Sequence, residues 1–206
     1  MATIGIIGVT GMVGSDLARE AVRRGHTVIG VSRHGAPETP LAGVEYRVGD
    51  FADTDAVMDL ANSVDVLIIT TASGRATGDW APVLSAHEAL IKRQPTTRLF
   101  VVGGAGGLRD DEGVRLIDNG FIPEDYAEPR VFARVLDMYL HSNPELNWVM
   151  QVPAITIEPG QASEQYVLGG DHAAGTLVTT STFARAAIDE IEQPAHSRER
   201  YNVANA

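Results

Sequence analysis

Three glycines at a regular spacing lie near the start of the chain, in the run Gly8-Val9-Thr10-Gly11-Met12-Val13-Gly14. The run separates a short apolar segment from an amphipathic one, so we expect it to join a strand to a helix. The first glycine permits a tight turn, the second lets backbone approach a pyrophosphate, and the third allows close helix–strand contact. Free N–H groups at the helix N-terminus would face the phosphates. This pattern favours a dinucleotide site over a purely structural turn, with the candidate contacts Gly8, Thr10, Gly11, Met12, Val13 and Gly14.

The end of the second predicted strand indicates which nicotinamide cofactor would bind. NAD-preferring sites usually carry Asp or Glu about 20 residues after the glycines, where the carboxylate holds the ribose hydroxyls. Here the strand ends in Val31-Ser32-Arg33-His34, which has an arginine and no carboxylate. A guanidinium suits the extra negative charge of a 2′-phosphate. We therefore expect NADP(H) to be preferred over NAD(H), with Ser32 and Arg33 as contacts; the alternative is that Arg33 is a solvated loop residue.

Three further strand ends supply candidate cofactor contacts. Asp50 and Phe51 follow the third predicted strand, where the carboxylate would accept from the adenine amino group and the ring would lie beside the base. Asp50 could equally cap the next helix, and one residue can do both. Thr71 and Ala72 follow the fourth strand, where small residues would let backbone pass close to the ribose. Gly103 ends the fifth strand.

The elements that would position these residues alternate between strand and helix. Continuous apolar runs indicate strands covered on both faces, as in a parallel sheet. The pattern predicts an α/β fold with a Rossmann-type doubly wound parallel sheet and a small C-terminal cap. We expect one domain over residues 1–206, with a core at 1–152 and a cap with the last helix at 153–206. The predicted strands are 3–7, 27–32, 44–48, 64–70, 99–103, 146–152 and 199–203, and the predicted helices are 14–24, 53–62, 79–93, 129–141 and 181–192. Residues 104–125 are predicted as a loop and residues 153–180 as irregular.

Composition narrows the classes of partner. The 206 residues contain 16 basic and 27 acidic side chains, a formal charge of −11 that repels nucleic-acid backbones and anionic lipid. The chain has no cysteine, which excludes disulfides and thiolate chemistry and fits a cytoplasmic location. Its N-terminus lacks a basic stretch ahead of an apolar one, so no signal peptide is expected. The six histidines have no i, i+4 pair, so no metal site is expected.

These segments together resemble a known family. The runs GIIGVTGMVG, VGDFADTD and LFVVGGAGGL, with the later TFARAAIDEIEQP and RYNVA, are similar to the atypical short-chain dehydrogenase/reductases. Within that family, the segments resemble the small proteins labelled NADH-flavin reductases, which are related to biliverdin reductase B. The resemblance covers nearly the whole chain in order. It implies a Rossmann fold, a nicotinamide cofactor, and reduction of a flavin (FMN or FAD) or another small acceptor; a homodimer is also compatible with it.

The proton-donating residues of the main short-chain reductases are not evident. Those enzymes use Tyr-x-x-x-Lys with a serine, in which the tyrosine donates the proton and the lysine lowers its pKa. Tyr126 and Arg130 have this spacing, with arginine in place of lysine. A second alignment puts Arg134 at the lysine position and Arg130 at the tyrosine position, which removes the donor. Residues 103–107 contain no serine. Flavin reduction remains open, because hydride delivery requires mainly stacking and orientation and solvent can supply the proton.

The sequence therefore predicts an NAD(P)H-binding oxidoreductase that reduces a flavin-like planar acceptor with NADPH. Substrate contacts are expected from residues 104–126 and 153–172, because open α/β sheets bind ligands at their strand ends. One alternative is a non-catalytic sensor of the NADP(H) redox state, which the missing serine favours. Another is an epimerase or dehydratase acting on a nucleotide-sugar, for which the tail is short.

Overall fold

The computed structural model describes residues 1–206, which form ten strands, five α-helices and two short 3₁₀ turns. The strands are β1 (Thr3–Ile7), β2 (Thr27–Ser32), β3 (Val44–Val48), β4 (Val66–Ile69), β5 (Arg98–Val102), β6 (Trp148–Pro153), β7 (Thr156–Glu158), β8 (Tyr166–Gly169), β9 (Leu177–Thr179) and β10 (Arg200–Asn205). The helices are α1 (Met12–Arg23), α2 (Thr54–Ala61), α3 (Ala81–Arg93), α4 (Ala127–Leu140) and α5 (Thr180–Glu192). The 3₁₀ turns span Ser73–Arg75 and Ala105–Gly107.

Eight strands form one sheet in the order β3-β2-β1-β4-β5-β6-β10-β8, and only β8 runs antiparallel to its neighbour. In the centre of the sheet, Ile6 pairs with Gly30 of β2 on one side and with Ile68 of β4 on the other. The chain leaves β1 toward β2 and β3 and then returns to β4, so the strand order reverses at β1. Such a reversal opens a crevice at the carboxyl ends of the strands. The predicted Rossmann-type doubly wound sheet is confirmed.

Both faces of the sheet are buried by helices. Adjacent residues of β4 point to opposite sides, so that Leu67 joins an apolar cluster with α2, α3 and α4, and Ile68 joins a cluster with α1 and α5. All four residues of β4 are buried. This two-sided burial explains why the strands are continuous apolar runs rather than alternating ones. No helix of the protein has the length and apolarity that crossing a membrane requires.

The C-terminal quarter is more ordered than its sequence suggests. The prediction that residues 153–180 are irregular is wrong in part, because they contain β7, β8 and β9. Strand β8 extends the main sheet by pairing Gly169 with Asn202 and Tyr166 with Asn205, and β7 and β9 form a separate parallel pair. These strands are three or four residues long, and their partners lie far away in sequence. No local period of two develops over so short a stretch, so the pattern could not mark them.

Residues beyond 153 also close the sheet and cover its face. Strand β10 lies parallel to β6, and α5 packs along α1. Arg24, just after α1, donates to Asp189 at 2.6 Å and to Glu192 at 2.7 Å, both on α5. The tail is thus joined to the N-terminal half by apolar packing and by ion pairs.

Candidate functional site

A cleft of about 760 Å³ lies at the carboxyl ends of the central parallel strands. Its walls come from the segments that follow β1, β2, β3, β4, β5 and β6, so residues distant in sequence meet there. Every predicted cofactor contact lines this cleft except Gly14, which lies behind the glycine loop. The volume is within the range of cofactor sites in proteins. We call the part formed by the Gly8–Gly14 loop, Arg33 and Asp50 the glycine end.

The glycine loop has a backbone that side chains would disrupt. Gly8 has φ of +90°, a conformation that L-residues rarely adopt, and a Cβ there would lie 2.5 Å from the carbonyl oxygen of Thr70. The Gly8 N–H donates to the carbonyl of Val31 at 2.9 Å, which fixes the loop against β2. A Cβ on Gly14 would collide with the carbonyl oxygen of Gly8 and lie 2.9 Å from its carbon. The first turn of α1 therefore reaches its position only with glycine at both residues.

The N-terminus of α1 offers unpaired backbone donors to the cleft. Its N-cap residue is Gly11, which supplies no side-chain acceptor, and the first turn contains no acidic residue. The N–H groups of the first turn accordingly have no acceptor in the protein. The nearest carboxylate on the helix, Asp16, accepts from Thr180 at 2.5 Å and from Ser181 at 3.2 Å. Helix dipole and free donors together make this turn suitable for an anion such as a pyrophosphate.

The end of β2 presents a guanidinium to the cleft. Ser32 folds back on the chain, with its hydroxyl donating to the carbonyl of Gly35 at 2.6 Å. This tight turn leaves Arg33 exposed at the edge of the glycine end. On the neighbouring strand, Arg47 lies outside the cleft and is paired with Glu45 at 2.7 Å. Arg33 is thus the cation that the cleft offers at this end.

Asp50 lines the cleft, and a different residue caps the next helix. Asp53 is the N-cap of α2, accepting from the N–H of Ala56 at 3.1 Å. The capping alternative for Asp50 is therefore wrong. Asp50 instead accepts from the N–H of Ala52 at 3.0 Å, in a turn that precedes the helix.

Phe51 forms part of the cleft floor and belongs to the core. Its side chain is buried, and its ring meets that of His87 edge-on at 4.8 Å between centroids. His87 is itself buried and shares a hydrogen bond of 3.2 Å with the hydroxyl of Tyr139. Burial lowers the pKa of His87 to about 3, so the imidazole is neutral at physiological pH. The floor of the glycine end is therefore a buried aromatic layer.

Small residues let the cleft continue past β4 and β5. Thr71 and Ala72 line it after β4, and Gly103 lines it after β5. A Cβ on Gly103 would lie 2.7 Å from both the sulfur of Met150 and a methyl of Val152. The chain thus passes close to β6 at this point, and glycine is what permits it.

Beyond Gly103 aromatic and aliphatic side chains line the cleft, and we call this part the aromatic end. Its aromatic residues are Phe121, Tyr126 and Phe132, and Ile155, in the segment after β6, also lines the cleft. Phe121 and Tyr126 are 60% and 56% exposed, so both rings are accessible to a ligand in the cleft. The predicted substrate segments 104–126 and 153–172 do supply lining residues here, although the second does so only through residues 153–157.

An ion pair bridges the aromatic end. Arg75, in the turn after β4, donates through Nε to Glu128 Oε2 at 2.7 Å and through Nη2 to Glu128 Oε1. This bonding to Glu128 raises the pKa of the Arg75 guanidinium. The two residues are 53 positions apart, and the sequence analysis singled out neither. No local signal could have paired them, because the contact depends on how the turn after β4 meets the start of α4.

Of the three predicted catalytic residues, only Tyr126 lines the cleft. Tyr126 lines the cleft as the N-cap residue of α4, whereas Arg130 does not line it, and the Nε of Arg130 is buried without a hydrogen-bond partner. Arg134 is exposed in a separate surface groove beside Glu88. Neither alignment therefore gives a tyrosine and a cation that share the cleft. No group of three or more His, Asp or Glu side chains is arranged to hold a metal ion.

Comparison with known proteins agrees with this geometry. A family model described as NAD(P)H-binding matches residues 8–194, from the first glycine of the loop to two residues past the end of α5. The chain belongs to this NAD(P)H-binding family. The resemblance to NAD(P)-binding reductases is thereby confirmed. The uncharacterized protein YwnB of Bacillus subtilis is 30% identical over 213 residues, covering 97% of both chains.

Solved structures share the whole fold. A protein from Bacteroides thetaiotaomicron described as a "putative epimerase" has a TM-score of 0.86 and 28% identity, over 98% of this chain and 96% of that one. A protein from Streptococcus pneumoniae described as a "putative NADH-flavin reductase" has a TM-score of 0.85 and 24% identity, over 100% of both chains. At these identities the likeness establishes the architecture, and the chemistry must be argued from the cleft.

Proposed function

We propose that this protein is an oxidoreductase that uses NADPH to reduce a small planar acceptor, with a flavin as the first candidate. The observation that carries the proposal is a single cleft with two different ends. The glycine end has free backbone donors and the cation Arg33, which suit a dinucleotide phosphate. The aromatic end has Phe121, Tyr126 and Phe132, which suit a flat conjugated ring.

The cofactor would lie along the carboxyl edge of the sheet. Its pyrophosphate would bind the first turn of α1, its adenosine would extend toward Arg33 and Asp50, and its nicotinamide would extend past Gly103 toward the aromatic end. When bound, the nicotinamide supplies a hydride, which carries two electrons. The chain would hold and orient both partners, with the nicotinamide and the acceptor meeting beyond Gly103, which lines the cleft between its two ends.

The missing catalytic triad is consistent with this reaction. Reduction of a flavin adds one hydride from the cofactor and one proton, and the exposed walls of the aromatic end leave solvent free to donate that proton. The products are the oxidised cofactor and the two-electron-reduced acceptor. Carbonyl reduction would instead need a positioned acid, and Tyr126 does not share the cleft with Arg130 or Arg134. The name of the Streptococcus pneumoniae protein points to the same class of acceptor.

The preference for NADPH is tested by titrating the protein with NADPH and NADH while tryptophan fluorescence is followed. Trp80 is the expected reporter, because its ring lies 6.4 Å from that of Phe132 at the aromatic end, whereas Trp148 is fully buried in the core. Arg33→Met should raise the Kd for NADPH about 10- to 100-fold, since charge-assisted contacts contribute roughly 1.5–3 kcal/mol. The Kd for NADH should change little.

A matched control is Arg47→Met, which removes an exposed arginine outside the cleft. It should leave both affinities unchanged. Equal loss of NADPH and NADH binding in Arg33→Met, or a wild-type preference for NADH, would contradict the cofactor assignment. Turnover is then measured as oxidation of NADPH with FMN, FAD, riboflavin or a quinone. If none of these acceptors accelerates oxidation, the protein is better explained as a sensor of the cofactor.

A further inference from the structure

Charged residues are rare in the cleft and fall into two groups. Arg33 and Asp50 are at the glycine end, and Arg75 and Glu128 are at the aromatic end; no other charged side chain lines it. Arg33 is accounted for by the 2′-phosphate under the proposed function. Arg75 is therefore the one cation at the aromatic end, where the surrounding surface is mostly apolar.

Arg75 retains hydrogen-bonding capacity after it pairs with Glu128. A guanidinium has five N–H donors, and Glu128 takes one from Nε and one from Nη2. The remaining donors, on Nη1 and Nη2, are available to a second anion. The Glu128 side chain is 15% exposed and that of Arg75 is 58% exposed, so the carboxylate is held in the wall and the guanidinium reaches into solvent. Glu128 thus orients the Arg75 guanidinium and leaves part of its hydrogen-bonding capacity free.

The turn that carries Arg75 is held in place. Gly74 is buried directly against the indole of Trp80, where a Cβ would collide with the ring. The indole in turn packs edge-on against Phe132 of the aromatic wall. The backbone of Arg75 is therefore anchored beside the aromatic wall, and the pair with Glu128 orients its guanidinium there. Such positioning is the condition for recognising a substituent on a bound ring.

We propose that Arg75 is a specificity-determining residue that selects planar acceptors bearing an anionic substituent, phosphate or carboxylate. This inference rests on the proposed function, since it takes the aromatic end to be the acceptor site. The ring would lie against the aromatic wall and the anion would bind the free donors of Arg75. A fork of donors suits both phosphate and carboxylate oxygens.

The test compares flavins that share one ring system. FMN carries a phosphate, the 5′-carboxylate analogue of riboflavin carries a carboxylate, and riboflavin carries neither. The wild type should have a lower KM for the two anionic flavins than for riboflavin. Arg75→Met should raise the KM for both anionic flavins about fivefold to tenfold, a modest effect because the site is half exposed. The KM for riboflavin and for NADPH should stay within twofold, and Arg75→Lys should be intermediate.

The control Arg19→Met removes an exposed arginine on α1 outside the cleft and should change none of these values. Binding is measured separately, by quenching of flavin fluorescence in the NADP⁺-saturated protein. If no flavin is reduced, the proposed function fails, but the binding ratio of FMN to riboflavin still reports on Arg75. If Arg75→Met weakens the binding of FMN alone, the anion that Arg75 recognises is a phosphate. If it weakens the binding of the carboxylate analogue alone, that anion is a carboxylate. Equal binding of all three flavins, binding of none, or an unchanged ratio in Arg75→Met would overturn the inference.

Discussion

The two ends of the cleft differ in the groups that form them, which are backbone at one end and side chains at the other. The glycine end is made of backbone from adjacent residues: the turn at Gly8, the free donors at the start of α1, and the turn after β2. The aromatic end is made of side chains from distant segments, such as Arg75 and Glu128. Backbone geometry follows from local sequence, whereas side chains from separate segments meet only once the fold has formed. We therefore expect the glycine end to tolerate little change in its glycines, and the aromatic end to tolerate substitution of individual side chains.

This difference predicts that the largest single effect comes from a methyl group at the glycine end. In Gly14→Ala, the new Cβ would collide with the carbonyl of Gly8, so the first turn of α1 must move. The affinity for NADPH should fall about 100-fold or more, because a shift of 1 Å in positioned groups can have an effect of that size. Titration by tryptophan fluorescence measures it, with circular dichroism to verify that the helices remain.

Gly170→Ala is the matched control. Gly170 has an ordinary φ, and a Cβ there would meet nothing within 4 Å. The control should bind NADPH as the wild type does. If Gly14→Ala also binds NADPH as the wild type does, the loop can move to accommodate a Cβ. The glycine end would then be no more rigid than the aromatic end.

A second prediction concerns the floor of the glycine end, where His87 is neutral beneath Phe51. Its pKa is about 3 in the folded protein against an ordinary value of about 6.5. Between these values the unfolded chain binds a proton that the folded protein does not, so stability falls as the pH falls. From pH 7 to pH 5, this one group should lower the free energy of unfolding by about 2 kcal/mol.

Urea unfolding at both pH values measures this loss, and His87→Gln should reduce it by about that amount. The matched control is His141→Gln, which makes the same replacement at an exposed histidine. An identical pH dependence in wild type and His87→Gln would mean that water reaches the imidazole. The floor of the glycine end would then be open to solvent.

The parts of the fold that could be predicted are those with a local sequence signal, and the parts that could not depend on contacts between distant segments. Strands β1, β2 and β3 have the predicted bounds, because long apolar runs between turn residues are local signals. Helices α1 and α4 begin two residues earlier than expected, at Met12 and Ala127. The short strands β7, β8 and β9 could not be predicted, since β8 is stabilised by β10, more than thirty residues away in the chain.

The same reasoning separates the parts of the site. The lining positions at the glycine end could be named from the sequence, because one loop and the strand ends define them. At the aromatic end the sequence indicated only the contributing segments and Tyr126. It did not indicate the Arg75–Glu128 pair, nor that Arg130 and Arg134 lie outside the cleft. A helical spacing places side chains on a helix, but which face meets a cleft depends on the packing of that helix.

The smallest predicted effect is at Tyr126. It distinguishes an aromatic end that only binds the acceptor from one that also donates a proton to it. If solvent donates the proton, the hydroxyl is dispensable, and Tyr126→Phe should change kcat with FMN by less than about twofold, because the ring and its wall remain. Tyr126→Ala, which removes the wall as well, should raise the KM for FMN about threefold while leaving the Kd for NADPH unchanged. Steady-state kinetics of the two variants separate the contribution of the ring from that of the hydroxyl.

A general acid typically raises the rate 10²–10⁴-fold, so a loss of kcat of that size in Tyr126→Phe would make Tyr126 the proton donor. The aromatic end would then be a catalytic centre built by one side chain, and the protein would be closer to the carbonyl reductases than its separated Arg130 indicates.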